Sequence, residues 1–264
     1  MLLLMSLQVP PAPAAQDGRQ IAIQYNVWGA KSNTGYNTEI AQAIINSLRT
    51  RNPKPTVISF NEICWRQWDQ IKREYLDVAG GYVAFAHWSI NTPLPNCDGT
   101  TYGNVVVGLG GTATVGTNHT YSGQDSVTEK RGVACLSGLV GNATACSSHL
   151  STTLSTAKNQ MAQLRTFVNQ WVTKGVPMYV MGDFNVETRE HRFTFQNSWY
   201  STFAEGDRPG ATTYTRRITW KSKVTTAQRS IDYVFRRVPK TFTAVAYLFF
   251  GPYSDHAWYE AYLT

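Results

Sequence analysis

The chain has 264 residues, a length that suits one large α/β domain or two small ones and allows a full hydrophobic core. Hydrophobic residues make up 42% and charged residues 16%, which is globular and excludes a low-complexity, disordered chain. The net charge of +7 and the pI of about 9.2 favour polyanionic partners: nucleic acid, anionic membrane or acidic glycans. Because Lys and Arg are spread along the chain, the charge is equally typical of an ordinary basic protein.

The N-terminal segment predicts export. Residues 1–9 are apolar, and Ala12-Pro13-Ala14 has the small-x-small form of a signal-peptidase site. The apolar run is too short to anchor the chain in a bilayer, so we expect no stable membrane insertion. A basic region before it is missing, which leaves a truncated start or no signal as alternatives. We expect a signal peptide in residues 1–15 and a secreted protein.

The predicted elements alternate strands and helices over the first two thirds of the chain, and strands dominate afterwards. Predicted strands cover residues 21–27, 56–60, 103–109, 133–139, 143–150, 176–181, 230–237 and 242–249, and predicted helices cover residues 38–49, 65–76 and 157–172. Thr38 is a plausible N-cap of the first helix. This order favours a layered α/β fold with mixed sheets, and residues 16–264 are expected to form a single domain.

The cysteines predict disulfides. Cys64, Cys97, Cys135 and Cys146 contain no C-x-x-C pair, so a zinc site is not indicated, and an even count in an oxidising compartment suggests two disulfides. Cys135 and Cys146 lie on predicted strands joined by a short turn, so their sulfurs can face each other. Cys64–Cys97 follows largely by elimination.

Acid, amide and imidazole residues stand where the predicted strands end or begin. Such residues are poor strand formers, and at the ends of buried strands they can converge at one rim of a sheet. The segments are Gln24-Tyr25-Asn26, Asn61-Glu62, Ser147-Ser148-His149, Gly182-Asp183-Phe184-Asn185, Ile231-Asp232-Tyr233 and Ser254-Asp255-His256.

These segments would bring four carboxylates together: Glu62, Asp183, Asp232 and Asp255. Like charges at that density repel one another, so they need a cation. Oxygen ligands without cysteine indicate Mg²⁺, with Mn²⁺ or Ca²⁺ as alternatives, rather than zinc. With two histidines, the set contains the parts of metal-assisted phosphoryl chemistry. Any one of these carboxylates alone is more typical of a turn or a cap, so the prediction depends on the ordered set.

The ordered set resembles the endonuclease/exonuclease/phosphatase superfamily, which includes deoxyribonuclease I, abasic-site endonucleases, the nuclease subunit of cytolethal distending toxins, secreted sphingomyelinases and inositol-polyphosphate 5-phosphatases. The likeness runs from about residue 21 to residue 263. It implies a four-layer sandwich, in which two packed mixed β-sheets are flanked by helices, and a divalent-metal-dependent phosphodiesterase.

The resemblance also implies roles for individual residues. The implied metal ligands are Glu62 and Asp255, with Asn26 nearby. The implied catalytic residues are Asp183, which would orient or deprotonate the attacking water, His256 paired with Asp232, and His149 on the other side of the phosphate. The implied phosphate-binding residues are Asn185, Arg131 and Tyr102.

The chain departs from the family pattern at two places. Deoxyribonuclease I-like members support the first histidine with a glutamate two residues after a tyrosine, whereas this chain has Tyr102-Gly103-Asn104. Without that carboxylate, His149 is expected to be the weaker of the two histidines. Ala257-Trp258-Tyr259 also replaces the small residue and Pro-Val that follow the final histidine in many members.

The leading function is therefore a secreted nuclease that hydrolyses DNA. The alternative is a sphingomyelinase-type lipid phosphodiesterase, since aromatic residues of the segment 247–253 could enter a membrane interface, although an ordinary core strand fits residues 245–249 better. A phosphomonoesterase and a catalytically inactive binding module are weaker alternatives. The sequence does not decide whether the protein works alone or with partner subunits of a toxin-like assembly.

Overall fold

The structure is a computed structural model that describes residues 20–28, 37–89, 95–124, 130–186, 203–205, 219–221, 228–237, 242–249 and 254–263. The predicted signal peptide lies outside these residues. No helix in the described ranges is long and apolar enough to cross a membrane.

Strands are the commonest element of the described chain. They are β1 (Gln20–Asn26), β2 (Val57–Cys64), β3 (Tyr82–Ser89), β4 (Tyr102–Thr120), β5 (Gly132–Leu139), β6 (Ala143–His149), β7 (Met178–Asp183), β8 (Phe203–Glu205), β9 (Trp220–Lys221), β10 (Gln228–Arg229), β11 (Asp232–Arg237), β12 (Phe242–Phe249) and β13 (Ala257–Leu263). The helices are α1 (Asn37–Arg49), α2 (Trp65–Ile71), α3 (Asp77–Ala79) and α4 (Leu154–Val172). A π-helical turn at Lys72–Leu76 joins α2 to α3, and 3-10 turns lie at Pro95–Cys97 and Val140–Asn142.

The long strand β4 joins two sheets. Its first half pairs with β2 and β3, in a sheet of order β12-β13-β1-β2-β4-β3, and its second half pairs with β5, in a sheet of order β4-β5-β6-β7-β11-β8. The register against β5 shifts between Gly110 and Val115, where the strand passes from one sheet to the other. The strands β9 and β10 form a separate two-stranded ribbon.

Three buried apolar clusters separate four layers. Because side chains alternate across a strand, Ile23 of β1 packs outward against α1 and α2, while Ala22 lies between the two sheets. The outer face of the second sheet packs against α4, for example through Val180 and Leu164. The predicted four-layer sandwich of two mixed sheets flanked by helices is confirmed.

Most predicted elements are present, and several details differ. The predicted N-cap is wrong, because α1 already includes Asn37 and Thr38 therefore lies inside its first turn. The strand predicted at residues 103–109 extends over 19 residues, since the glycine-rich stretch after it continues into the second sheet. The helix predicted over residues 65–76 is α-helical only to Ile71 and continues as the π-helical turn. The predicted strands have no counterpart of β3, and β8, β9, β10 and β13 were covered only by the expectation that strands dominate the last third.

Both predicted disulfides form, and each braces a strand that carries candidate site residues. Cys135 and Cys146 lie directly opposite each other on β5 and β6, with a Cα–Cα distance of 4.0 Å. Cys64, at the end of β2, pairs with Cys97 at a Cα–Cα distance of 5.3 Å. No described cysteine is free.

Candidate active site

Paired strands bring the predicted residues to one edge of the sandwich. Asn26 of β1 lies beside Asn61 of the parallel strand β2, and His149 of β6 lies beside Asp183 of the parallel strand β7. The antiparallel strand β11 begins where β7 ends, so Asp232 lies opposite Asp183. The rim predicted from the strand ends therefore exists.

A β-bulge presents Glu62 to this rim. Two residues of β2, Asn61 and Glu62, face the single residue Asn104 of β4. Glu62 has a φ of 51°, in the left-handed region that side-chain-bearing residues rarely adopt and that recurs at functional sites. Its Oε1 lies 3.7 Å from Nε2 of His149.

Gly182 allows β6 and β7 to approach each other closely. Its φ is 152°, and a Cβ at this position would lie 1.8 Å from the carbonyl oxygen of Ser148. No side chain fits there without separating the two strands. The next residue in each strand is a candidate catalytic residue, so the contact sets how close His149 and Asp183 come.

The buried carboxylate of Asp183 occupies the centre of the site. Its Oδ2 accepts a hydrogen bond of 2.9 Å from Nδ2 of Asn26. The same oxygen lies 3.5 Å from Nε2 of His149 and 3.6 Å from Nε2 of His256. A carboxylate held between two imidazoles can accept a hydrogen bond from a water molecule and direct it.

An amide network fixes the backbone around Asp183. The backbone N–H of Asp183 donates to Oδ1 of Asn61 at 2.8 Å, and Nε2 of Gln24 donates to the same oxygen at 2.8 Å. The backbone N–H of Asn185 donates to Oδ1 of Asp183 at 2.9 Å. The bond between Asn61 and Asp183 crosses from the first sheet to the second, so it ties Asp183 to both.

His256 is paired with Asp232, as predicted from the resemblance. Its Nδ1 lies 2.8 Å from Oδ2 of Asp232, and its backbone N–H donates to Oγ of Ser254 at 3.0 Å. The backbone N–H of Asp232 donates in turn to Oγ1 of Thr219 at 3.0 Å. The ring is therefore held through both its side chain and its backbone.

The surrounding carboxylates determine the charge of His256. Burial lowers the pKa of His256, but Asp232 and Asp183 outweigh that effect and raise it from 6.5 to about 10. Burial raises the pKa of Asp232 to about 6, against the opposing effect of His256. Burial also acts to raise the pKa of Asp183, but the two histidines and Asn26 hold it well below its usual range. At neutral pH the centre contains an anionic Asp183 and a cationic His256.

His149 has a different neighbourhood. Nη1 of Arg131 lies 2.6 Å from its Nδ1 and 2.7 Å from its Nε2, and Nδ2 of Asn185 lies 3.2 Å from its Nε2. Asn104, at the position where family members have the supporting glutamate, donates to the carbonyl of Gly132 at 3.0 Å instead. Tyr102 lies opposite Cys64 at the start of β4 and packs into the core between the sheets.

The residues present fit a divalent cation beside this centre. Oε2 of Glu62 is buried and accepts no hydrogen bond from the described residues, which is costly for a carboxylate unless a cation compensates it. Asp255 lies at the same rim, with Oδ1 3.8 Å from Nε2 of His256. Asn26, predicted to lie near the metal, is next to this centre: its Nδ2 donates to Asp183, and its Oδ1 accepts the backbone N–H of Trp28 at 2.9 Å.

A second carboxylate group is less suited to a cation. Asp183, Asp232 and His256 offer ligand atoms within 4.8 Å of one another. Here, however, a cationic His256 already lies 2.8 Å from Asp232 and 3.6 Å from Asp183, so each carboxylate has a positive charge beside it. Glu62, by contrast, has a buried carboxylate oxygen that accepts no hydrogen bond from the described residues.

Sequence reasoning missed two residues at the rim. Asn61 was visible only as the neighbour of Glu62, and no local pattern shows that it reaches the backbone of Asp183 in the other sheet. Arg229 of β10 donates from Nη2 to the carbonyl of Asn185 at 3.0 Å. Nothing in its local sequence distinguishes it from the other basic residues of the last third.

Comparison with protein families matches residues 23–256 to the Endonuclease/Exonuclease/phosphatase family, and the chain belongs to this family. No curated protein matches the chain in sequence. Among solved structures, TDP2 from D. rerio in complex with single-strand DNA product aligns with a TM-score of 0.70 and 15% identity, over 94% of this chain and 100% of that one.

Other solved structures share the same fold. TDP2 from C. elegans aligns with a TM-score of 0.68 and 14% identity, over 95% of this chain and 76% of that one. An endonuclease/exonuclease/phosphatase protein from Beutenbergia cavernae DSM 12333 aligns with a TM-score of 0.64 and 21% identity, over 93% of this chain and 71% of that one. At these identities the likeness establishes the fold of the chain.

Proposed function

We propose that this protein is a secreted, divalent-metal-dependent phosphodiesterase that hydrolyses nucleic acid, DNA foremost. The observation that carries the proposal is the buried Asp183 carboxylate, 3.5 and 3.6 Å from two histidines with different partners. Membership of a family named for nucleases and phosphatases supports it. The D. rerio TDP2 structure, a complex with a DNA product, supports nucleic acid as the substrate.

The chemistry follows from the charges at the site. Asp183 accepts a hydrogen bond from a water molecule and orients its oxygen toward phosphorus. The oxygen attacks, the water proton moves to Asp183, and the phosphorus–oxygen ester bond breaks. The departing oxygen takes up a proton from His256, whose cationic form Asp232 stabilises.

Two further groups bind the phosphate. Nδ2 of Asn185 and the guanidinium of Arg131 flank His149, and both can donate to phosphate oxygens whose charge grows in the transition state. A divalent cation held by Glu62 and Asp255 would supply Lewis-acid stabilisation of that charge.

Supercoiled plasmid incubated with the purified protein tests the proposal. We expect conversion to nicked and linear forms with Mg²⁺ and none after dialysis against EDTA. Glu62→Gln should shift half-maximal activity to higher Mg²⁺, because a carboxylate ligand is lost. Activity that persists without metal, or an unchanged Mg²⁺ requirement of Glu62→Gln, contradicts the proposed mechanism.

Competing substrates are assayed in parallel. Sphingomyelin in mixed micelles tests the lipid alternative, and p-nitrophenyl phosphate tests a phosphomonoesterase. We expect neither to be hydrolysed at a rate comparable with DNA. Rapid sphingomyelin hydrolysis with no plasmid nicking would assign the site to lipid.

Secretion rests on the predicted signal peptide and on the two disulfides, which are typical of oxidising compartments. We expect the exported protein to begin near Gln16. N-terminal sequencing of the protein recovered from the medium or periplasm checks this, and a product that retains residues 1–15 contradicts it.

A further inference from the structure

A layer of buried polar side chains lies between the two sheets, directly below the candidate site. Because side chains alternate along a strand, Ala22 and Gln24 of β1 both lie between the sheets, and Gln24 is the closer of the two to the site. In the neighbouring strand β2, Val57 lies beside Ala22 and Ser59 beside Gln24, so both strands change from apolar to polar at the same level. The polar layer consists of Gln24, Ser59, Asn61, Asn104 and Ser147.

The side-chain amide of Gln24 is hydrogen-bonded at both ends. Its Oε1 accepts a bond of 2.6 Å from Oγ of Ser59. Its Nε2 donates to Oδ1 of Asn61 at 2.8 Å and to Oδ1 of Asp232 at 3.4 Å. A buried amide is costly unless it is bonded in this way, and the hydroxyl donor on one side and the two acceptors on the other fix its orientation.

Gln24 thereby connects the two carboxylates of the centre. On one side, the Asn61 oxygen that it contacts also accepts the backbone N–H of Asp183 at 2.8 Å. On the other side, Gln24 contacts Oδ1 of Asp232, while His256 contacts Oδ2 at 2.8 Å. With one partner on each oxygen, the carboxylate of Asp232 is held in a single rotation.

The hydrogen bonds continue from Gln24 toward the strand that carries His149. Nδ2 of Asn61 donates to Oδ1 of Asn104 at 2.9 Å, and Nδ2 of Asn104 donates to the carbonyl of Gly132 at 3.0 Å. Gly132 lies directly opposite His149 in the ladder of β5 and β6. Each amide accepts on its oxygen and donates from its nitrogen, so the bonds run in one direction and strengthen one another.

We propose that Gln24 is a positioning residue, which fixes the Asp232–His256 pair relative to Asp183. The inference rests on the proposed function and adds to it a residue that lies below the groups facing the substrate. In that mechanism a carboxylate directs water and a histidine gives up a proton, so the rate depends on the distance between them. Gln24 acts on that distance because it contacts Asp232 directly and Asp183 through Asn61.

A purely structural role for Gln24 predicts a different result. If its amide only satisfied buried hydrogen bonds, its loss would lower the stability of the fold and leave the rate of the folded protein unchanged. If it positions Asp232, its loss lowers the rate, and the effect shrinks once Asp232 has lost its countercharge. A double-mutant cycle separates the two roles.

The experiment measures single-turnover cleavage of a labelled oligonucleotide with saturating Mg²⁺ and excess enzyme. The variants are Gln24→Met, which keeps the length of the side chain and removes its hydrogen bonds, Asp232→Asn and the double variant. Gln20→Met is the matched control. Gln20 lies on the same face of β1 at the end away from the site, and its Oε1 accepts bonds from Tyr179 at 3.0 Å and Arg236 at 3.4 Å.

We expect Gln24→Met to lower the rate about 30-fold, as for the loss of several buried hydrogen bonds that fix reacting groups. The concentrations of Mg²⁺ and of enzyme at half-maximal rate should stay within about threefold of wild type, because no metal ligand or phosphate-binding group is removed. In the Asp232→Asn background the same substitution should cost only about threefold. Gln20→Met should melt at a lower temperature, as Gln24→Met does, yet keep its rate within about twofold of wild type.

A wild-type rate in folded Gln24→Met, or an equal loss in both backgrounds, overturns the inference and leaves the proposed function standing. Circular dichroism melting checks that each variant is folded. If Gln24→Met does not fold, Ser59→Ala provides the same test, because it removes only the hydroxyl that orients the amide. It should cost about fivefold in the wild-type background and less than about twofold with Asp232→Asn, and equal costs overturn the inference. A wild-type protein that cleaves no phosphodiester overturns the proposed function and the inference with it.

Discussion

Two histidines lie at nearly equal distances from Asp183, 3.5 Å for His149 and 3.6 Å for His256. Their nearest charged neighbours, however, carry opposite charges. His256 contacts Asp232 at 2.8 Å. His149 contacts Arg131, a cation that can only donate, and its nearest carboxylate is Asp183. The comparison teaches that the partner of a histidine, rather than its distance from the reacting centre, decides what it can contribute.

The largest expected effect is that of His256→Ala. Loss of a positioned cation that stabilises charge and passes a proton should lower the single-turnover rate by about 10³-fold or more. The measurement is cleavage of a labelled oligonucleotide at saturating metal and excess enzyme. A loss below about tenfold would mean that His256 does not contribute more to the cleavage rate than His149, contrary to what the geometry indicates.

Asp232→Asn sharpens the comparison, because it leaves His256 in place and removes its countercharge. We expect a loss of about 10²-fold in the same assay, since an amide can orient the ring but does not stabilise its cationic form. The Mg²⁺ concentration at half-maximal rate should stay close to that of wild type. A large shift in that concentration would instead make Asp232 part of the metal site.

His149→Ala tests the other side. Because its close partners are Arg131 and Asn185, its loss should cost about 10- to 10²-fold, less than the loss of His256. The remaining donors still reach the phosphate. If His149→Ala proves more damaging than His256→Ala, the roles assigned to the two histidines are reversed.

The smallest expected effect is that of removing the Gln124 side chain, which holds the backbone of Arg131. Gln124 accepts the backbone N–H of Arg131 at 2.5 Å and donates from Nε2 to the Arg131 carbonyl at 3.0 Å. Gln124→Leu should lower kcat/KM about fivefold, as expected for the loss of about 1 kcal/mol of hydrogen bonding. Gln163→Leu is the control, since Gln163 bonds Ser122 and not Arg131, and it should behave as wild type.

The sequence predicted much of this arrangement, because the relevant signals are local. Periodicity marks β1, β5, β6 and α4, and polar residues at strand ends predict which edge of the sheets carries the site. The pairing of Cys135 with Cys146 follows from a short turn between two strands. Each of these inferences needs only neighbours in the chain.

What the sequence did not predict depends on contacts between residues that are far apart in the chain. The bonds from Asn61 to Asp183 and from Arg229 to Asn185 join residues 122 and 44 positions apart, so no local pattern reports them. The bulge that turns Glu62 toward the rim is likewise set by its pairing with β4. Family resemblance supplied the candidate metal ligands but not these supports.

Gly182 carries a consequence for the tolerance of this chain to substitution. A methyl group there would meet a carbonyl oxygen at 1.8 Å, so even alanine would push β6 and β7 apart. The distance between His149 and Asp183 thus depends on the lack of a side chain at Gly182. In a saturation scan this position should rank with the carboxylates in its intolerance, although it carries no chemistry of its own, and inactive variants found there would report on the spacing of the two strands rather than on any lost group.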